Sequence, residues 1–149
     1  MKVIRILAIV LISMGMALFL ACGEEKTASL EGNEDIAAVM QRLPECYENS
    51  KIVMEIYAED AIFERQDPST GKWNTFKGLK EIEDYKKERS RAMRNSSLSI
   101  SSIKKEADKA HVEYSFIRKS PDWEQSCSAE LVKKGQTWKI KMDRVSSWD

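Results

Sequence analysis

Few residues of this sequence have the types and spacing to do chemistry. His111 is its only histidine, which excludes multi-histidine metal centres and most zinc chemistry. It lies opposite the Val112 and Tyr114 face of an alternating run, where an exposed sheet position is expected. By strict alternation Arg144 shares a face with Trp138, Ile140 and Met142. An inward guanidinium there would bind a carboxylate or phosphate with two parallel hydrogen bonds; a bulge before Val145 would turn it outward. Tyr47, Tyr114 and Trp123 would line the same space, although aromatic residues on an apolar face serve more often as core. Glu64 and Glu113 would act as a general base only if burial raised their pKa. With 24 acidic residues in the chain, most must be solvated.

Cys46 sits beside the apolar stripe of an early helical segment, and Cys127 shares a face with Trp123, Ala129 and Leu131. A Cys46–Cys127 disulfide between helix and sheet would close a loop of about 80 residues and stabilise by roughly 2–4 kcal/mol. Two buried thiols are the alternative. Lys86, Lys87, Arg89, Arg91 and Arg94 crowd the end of a charged helix, where cations interact favourably with the helix dipole. Contact with anionic lipid headgroups is a second reading of that cluster. The sequence carries no glycine-rich phosphate loop, nucleophile elbow or paired-cysteine metal spacing. No cofactor and no metal are expected.

These residues belong to a chain of 149, with 24 basic and 24 acidic side chains, 42% hydrophobic and 32% charged. That length suits one compact domain and excludes a multidomain machine. The charge balance offers no general attraction to nucleic acid, so no nucleic-acid partner is expected. Met1–Ala21 opens with Lys2 and Arg5 and then runs apolar, broken only by Ser13 and Gly15. It is a charged region followed by an apolar one too short to span a bilayer, the pattern of an export leader. The junction Leu18-Phe19-Leu20-Ala21-Cys22-Gly23 resembles a bacterial lipoprotein signal, which implies that Cys22 becomes the acylated N-terminus. Several acyl chains would hold the protein at a membrane, each buried methylene contributing about 0.8 kcal/mol. Gly23, where aspartate commonly signals inner-membrane retention, implies the periplasmic face of an outer membrane if the bacterium has one. An ordinary secretory leader with a chance cysteine is the alternative.

The expected organisation is therefore a signal peptide over residues 1–21, a polar tether over 22–32 and a domain over 33–149. Asn33 is placed as an N-cap, followed by a three- and four-residue apolar rhythm through Ile36, Val39, Met40, Leu43 and Tyr47 that predicts an amphipathic helix, kinked or divided at Pro44. Ile52, Val53, Ile56 and Tyr57 predict a second short helix, 61–64 and 73–76 two short strands, and Leu79 to Met93 a third helix. Two-residue alternation then predicts strands through 110–117, 123–131 and 138–142, joined by turns. Helices first and a meander afterwards is an α+β order.

That order, with Tyr57-Ala58-Glu59-Asp60-Ala61-Ile62-Phe63, Phe76-Lys77-Gly78 followed by Ile82, and Gly135-Gln136-Thr137-Trp138-Lys139-Ile140 leading to Val145-Ser146, resembles the nuclear transport factor two-like superfamily. The likeness is to its SnoaL-like and ketosteroid-isomerase-like bacterial branches. The resemblance implies a conical, barrel-like α+β fold with a curved antiparallel sheet wrapped over the N-terminal helices, sometimes described as cystatin-like. That fold hosts isomerases, dehydratases and non-catalytic binding modules alike. Family members often carry histidines where Met142 and Arg144 stand here, and no aspartate or aspartate–histidine base aligns with this chain. The expected function is thus a membrane-anchored envelope lipoprotein whose domain binds a small molecule or a protein. An isomerase- or dehydratase-type enzyme with a pocket carboxylate is one alternative, and a structural homodimer paired through the sheet is another.

Overall fold

The computed structural model describes residues 30–119 and 122–146. The leader, Cys22 and most of the tether lie outside the described residues. The chain begins with α1 (Glu34–Gln41), α2 (Glu45–Glu48), a 3-10 turn (Ser50–Ile52) and α3 (Val53–Ile56). Then come β1 (Tyr57–Gln66), β2 (Trp73–Lys77), α4 (Gly78–Met93), β3 (Ser97–Glu106), β4 (Lys109–Lys119), β5 (Asp122–Lys134) and β6 (Thr137–Val145). The six strands form one sheet in the order β2-β1-β6-β5-β4-β3.

The early helices divide at Pro44, which follows the end of α1 and caps α2. Ile36, Met40 and Leu43 are buried on one side of this segment, each such burial stabilising by about 1.5–3 kcal/mol. Asn33 occupies the N-cap position but its side chain makes no capping bond. Asp35 acts instead: its carboxylate accepts from the Ile36 backbone N–H at 2.9 Å and from the Trp138 indole at 2.7 Å. Helix entry and the last strand are thereby tied across the domain.

Two differences from the sequence expectation have clear causes. Tyr57 starts β1 rather than ending a helix, because α3 stops after a single turn. β3 has no counterpart among the expected strands, although Leu98 and Ile100 alternate with Ser97, Ser99 and Ser101. That beat is short, breaks where the register shifts after Ile100 and gives way to exposed Lys104, Lys105 and Glu106, so the long antiparallel pairing with β4 defines the strand. The sheet is not wholly antiparallel either. β1 runs parallel to β6, a pairing that the intervening α4 and four strands make possible.

Irregularities curve the sheet. The β5–β6 register passes from Leu131↔Ile140 to Glu130↔Met142, leaving Lys141 as an extra residue on β6. A similar shift follows Ile100 in β3, and β1 advances from Tyr57 to Ile62 while β6 advances only from Ile140 to Met142. Such bulges bend a strand and increase its twist. The helices fill the concave side, with α4 packed on β1, β2 and α2. Gly78 enters α4 with φ +76, a backbone that side chains rarely adopt. Among the described residues no helix is long and apolar enough to cross a membrane.

Candidate functional site

The bulge at Lys141 decides which β6 side chains enter the interior. Before it, Trp138 and Ile140 are buried; after it the buried positions are Asp143 and Val145. One inserted residue exchanges the two faces of a strand. Arg144 is consequently exposed on the outer face, where its Nε donates to Glu64 Oε2 at 2.6 Å and its guanidinium lies 5.9 Å from the Trp73 ring centroid. The inward placement that strict alternation gives Arg144 is therefore corrected: the charged group inside is Asp143.

Asp143 is 0% exposed and meets a second fully buried charge, Lys86 of α4. The Lys86 ammonium stands 3.6 Å from Asp143 Oδ2. Tyr114 donates its hydroxyl to Oδ1 at 2.5 Å, and Tyr57 donates its own to Oδ2. Lys86 Nζ donates to the Tyr47 hydroxyl at 3.0 Å and lies 4.3 Å from the Phe63 ring centroid and 4.5 Å from that of Tyr47. A buried charge is tolerable when paired and hydrogen-bonded, and this pair is both. Burial opposes the Lys86 charge, but the Tyr47 oxygen and the Asp143 carboxylate outweigh it and hold the ammonium above the ordinary lysine range. Burial, reinforced by Asp143, raises Tyr57 and Tyr114 well above the usual phenol value. Burial likewise raises Tyr47. All three tyrosines are neutral at physiological pH; Tyr57 and Tyr114 donate to Asp143, and Tyr47 accepts from Lys86.

The sequence expectations meet this arrangement unevenly. Tyr47 and Tyr114 both reach the interior, the second as a ligand of Asp143. Trp123 is half-buried at the margin of the core. Cys46 and Cys127 are separate free thiols, so the Cys46–Cys127 disulfide is corrected to two buried cysteines. Burial pushes each thiol up to about 12, which leaves no thiolate for nucleophilic work near neutrality. His111 and Glu113 pair with each other on the outer face. Glu64 is held by Arg144. Among the described residues no group of three histidine, cysteine or carboxylate side chains is arranged to hold a metal.

Two residues escaped sequence reading. Lys86 follows Ile82 by four residues, so it stands on the apolar stripe of α4 and not only within its cationic end. Its position carried the signal, and its charge concealed it. Asp143 precedes buried Val145 by two residues, and that spacing would have exposed it once the Lys141 bulge was admitted.

Beside this cluster is a cavity of about 40 Å³, lined by Tyr47, Arg65, Tyr85, Arg89, Ala92, Met93, Gln125 and Val145. One water centre needs roughly 10–15 Å³, so there is room for about three waters. Asp143 is not part of the lining. Arg65 Nη1 donates to the Tyr85 hydroxyl at 2.7 Å, and Gln125 Nε2 donates to the Ser146 carbonyl at 2.7 Å.

No protein-family model matches the sequence, and no curated protein matches it. Solved structures do resemble it. An NTF-2-like protein of unknown function from Silicibacter pomeroyi aligns with TM-score 0.63 at 12% identity, over 77% of this chain and 94% of that one. A cystatin-like protein of unknown function from Nostoc punctiforme gives 0.62 at 13% identity, over 80% and 92%. An NTF-2-like protein of unknown function from Shewanella oneidensis gives 0.58 at 18% identity, over 78% and 99%. The chain has the NTF-2-like, cystatin-like α+β fold: a six-stranded curved sheet over N-terminal helices. At these identities the likeness concerns the fold, which does not name an activity.

Proposed function

We propose that this chain is a membrane-anchored lipoprotein of a bacterial envelope whose NTF-2-like domain binds a small molecule at the mouth of the cone and catalyses no reaction. The observation that carries the non-catalytic reading is the state of Asp143. Both its oxygens accept hydroxyls from Tyr57 and Tyr114, it is 0% exposed, and it borders none of the cavity lining. A general base must come within hydrogen-bond reach of the proton it removes. Here Tyr47 and Val145 stand on the cavity side, and the carboxylate serves the interior ion pair.

The outer sheet face supports a domain that works without a sheet-to-sheet partner. It carries the Arg144–Glu64, Lys141–Asp60 and His111–Glu113 pairs, whereas stable homodimer interfaces are more apolar than the general surface. The envelope location rests on the leader-like residues 1–21 and on Cys22.

Two measurements test the reading. NMR of enolisable ketones and small organic acids with the purified chain in deuterated buffer should show ligand shifts without deuterium entering carbon. Deuterium incorporation that disappears in Asp143→Asn would establish the isomerase-type alternative instead. Cells fed labelled fatty acid should label the protein through Cys22, and label persisting in Cys22→Ser would remove the anchor.

A further inference from the structure

We infer that the cavity between α4 and the sheet holds the carboxylate group of a small organic monoacid, with Arg65 and Arg89 as its cationic partners and the Tyr47 hydroxyl as a donor from beneath. The inference rests on the small-molecule reading above and gives that site its ligand class.

The first ground is charge. The cavity wall contains two guanidiniums and no carboxylate. Among the described residues neither Arg65 nor Arg89 forms an ion pair: Arg65 donates to Tyr85, and Arg89 only stacks 6.0 Å from the Tyr85 ring centroid. Two unpaired guanidiniums beside a concave wall favour an anion, which they bind through charge-assisted hydrogen bonds.

The second ground is Tyr47. It is 4% exposed and lines the cavity. Its oxygen accepts from Lys86 Nζ, while its own proton has no acceptor among the described residues. The buried ammonium behind it polarises that O–H toward an anionic acceptor. Lys86 thus has a purpose beyond pairing with Asp143, because it sets the direction in which the tyrosine donates.

Size and surroundings narrow the anion to an organic monoacid. Room for about three waters matches the three heavy atoms of a carboxylate group. Arg65, Tyr85 and Arg89 also line an adjoining groove of about 330 Å³, where Pro68 and Phe76 offer apolar surface for the rest of the molecule. Glu88 and Asp67 lie along that groove. The Asp67 carboxylate is occupied by the Ser69 and Thr70 backbone N–H groups at 2.8 and 3.2 Å. A second negative charge on the ligand would face these two acids, so a dicarboxylate fits less well than a monocarboxylate.

Benzoate and its neutral isostere benzamide are suitable probes, titrated by NMR into the full purified chain in detergent micelles. Benzoate should bind at least about tenfold more tightly than benzamide, the scale expected when a charged hydrogen-bonded contact is lost. Arg89→Gln, at an exposed helix position that leaves the fold intact, should weaken benzoate about tenfold and benzamide little. Tyr47→Phe should also weaken benzoate while keeping the ring. Benzoate binding unchanged in Arg89→Gln overturns the assignment, as does inorganic phosphate binding where benzoate does not. Equal binding of benzoate and benzamide refutes the anion class but leaves the small-molecule site standing. Failure of both probes at millimolar concentration removes the small-molecule reading as well.

Discussion

Replacing Asp143 by asparagine keeps the side-chain shape and deletes the charge facing Lys86. At 3.6 Å, and with an effective dielectric of about 20, the lost attraction is on the order of 4–5 kcal/mol. Measured losses when one partner of a buried pair is removed run about 3–5 kcal/mol. The expected cost of Asp143→Asn is therefore about 3–4 kcal/mol, against a total stability of about 5–15 kcal/mol for a domain of this size. The fold survives, and the melting temperature drops by about 10–15 °C. Lys86→Met should cost less, because Asp143 would keep its two tyrosine donors, whereas Asp143→Asn leaves an ammonium without a counter-charge. The double variant should be more stable than the two separate losses imply, by about 2 kcal/mol, since neither charge is then stranded. Urea unfolding followed by circular dichroism gives all four corners of this cycle. A cost below about 1 kcal/mol for Asp143→Asn, or strict additivity in the double variant, would refute the buried ion pair.

In a chain carrying Cys22→Ser, Cys46 and Cys127 should resist thiol reagents while folded, and both should react after denaturation without reductant; one or no reactive thiol would restore the disulfide. Because burial raises both thiols from 9.0 to about 12, the unfolded chain loses protons first. Their contribution to stability is whole below pH 9 and declines as pH rises toward 12, a decline that Cys127→Ala should reduce in alkaline unfolding curves. Burial tends to raise Asp35, but the Trp138 indole and the Ile36 N–H prevail and hold it below its ordinary 3.8. Its stabilising effect should be present above that pH and fade as pH falls through the depressed value; Asp35→Asn should flatten this acid limb, read by Trp138 fluorescence. Arg144→Ala should change stability by less than about 1 kcal/mol, as for exposed pairs generally, and leave benzoate binding unaltered. A large loss of benzoate binding in that variant would return Arg144 to the interior.

Much of the architecture was legible in the amino-acid order because side-chain rhythm reports which face of an element meets water. The beat through Ile36, Met40 and Leu43, the break at Pro44, the alternation from Ala110 to Phe116 and that from Trp123 to Leu131 all correspond to observed elements. β3 was missed although Leu98 and Ile100 alternate with Ser97, Ser99 and Ser101, because that beat is short, slips where the register shifts after Ile100 and runs out into Lys104, Lys105 and Glu106. The site was less legible. Tyr47 and Tyr114 stand out as aromatic residues on apolar faces, but their partners Lys86 and Asp143 look like surface charges.

What the sequence alone determined was local: the leader-like start, the helix and strand periods, and the single histidine that excludes multi-histidine metal centres and most zinc chemistry. What only the tertiary structure decided was phase and partnership. A bulge of one residue at Lys141 turned Asp143 inward and Arg144 outward, and the packing of α4 against β1 and α2 carried Lys86 to the same point. A buried charge is viable only where its counter-charge also arrives, and these two are brought together by elements far apart in the chain.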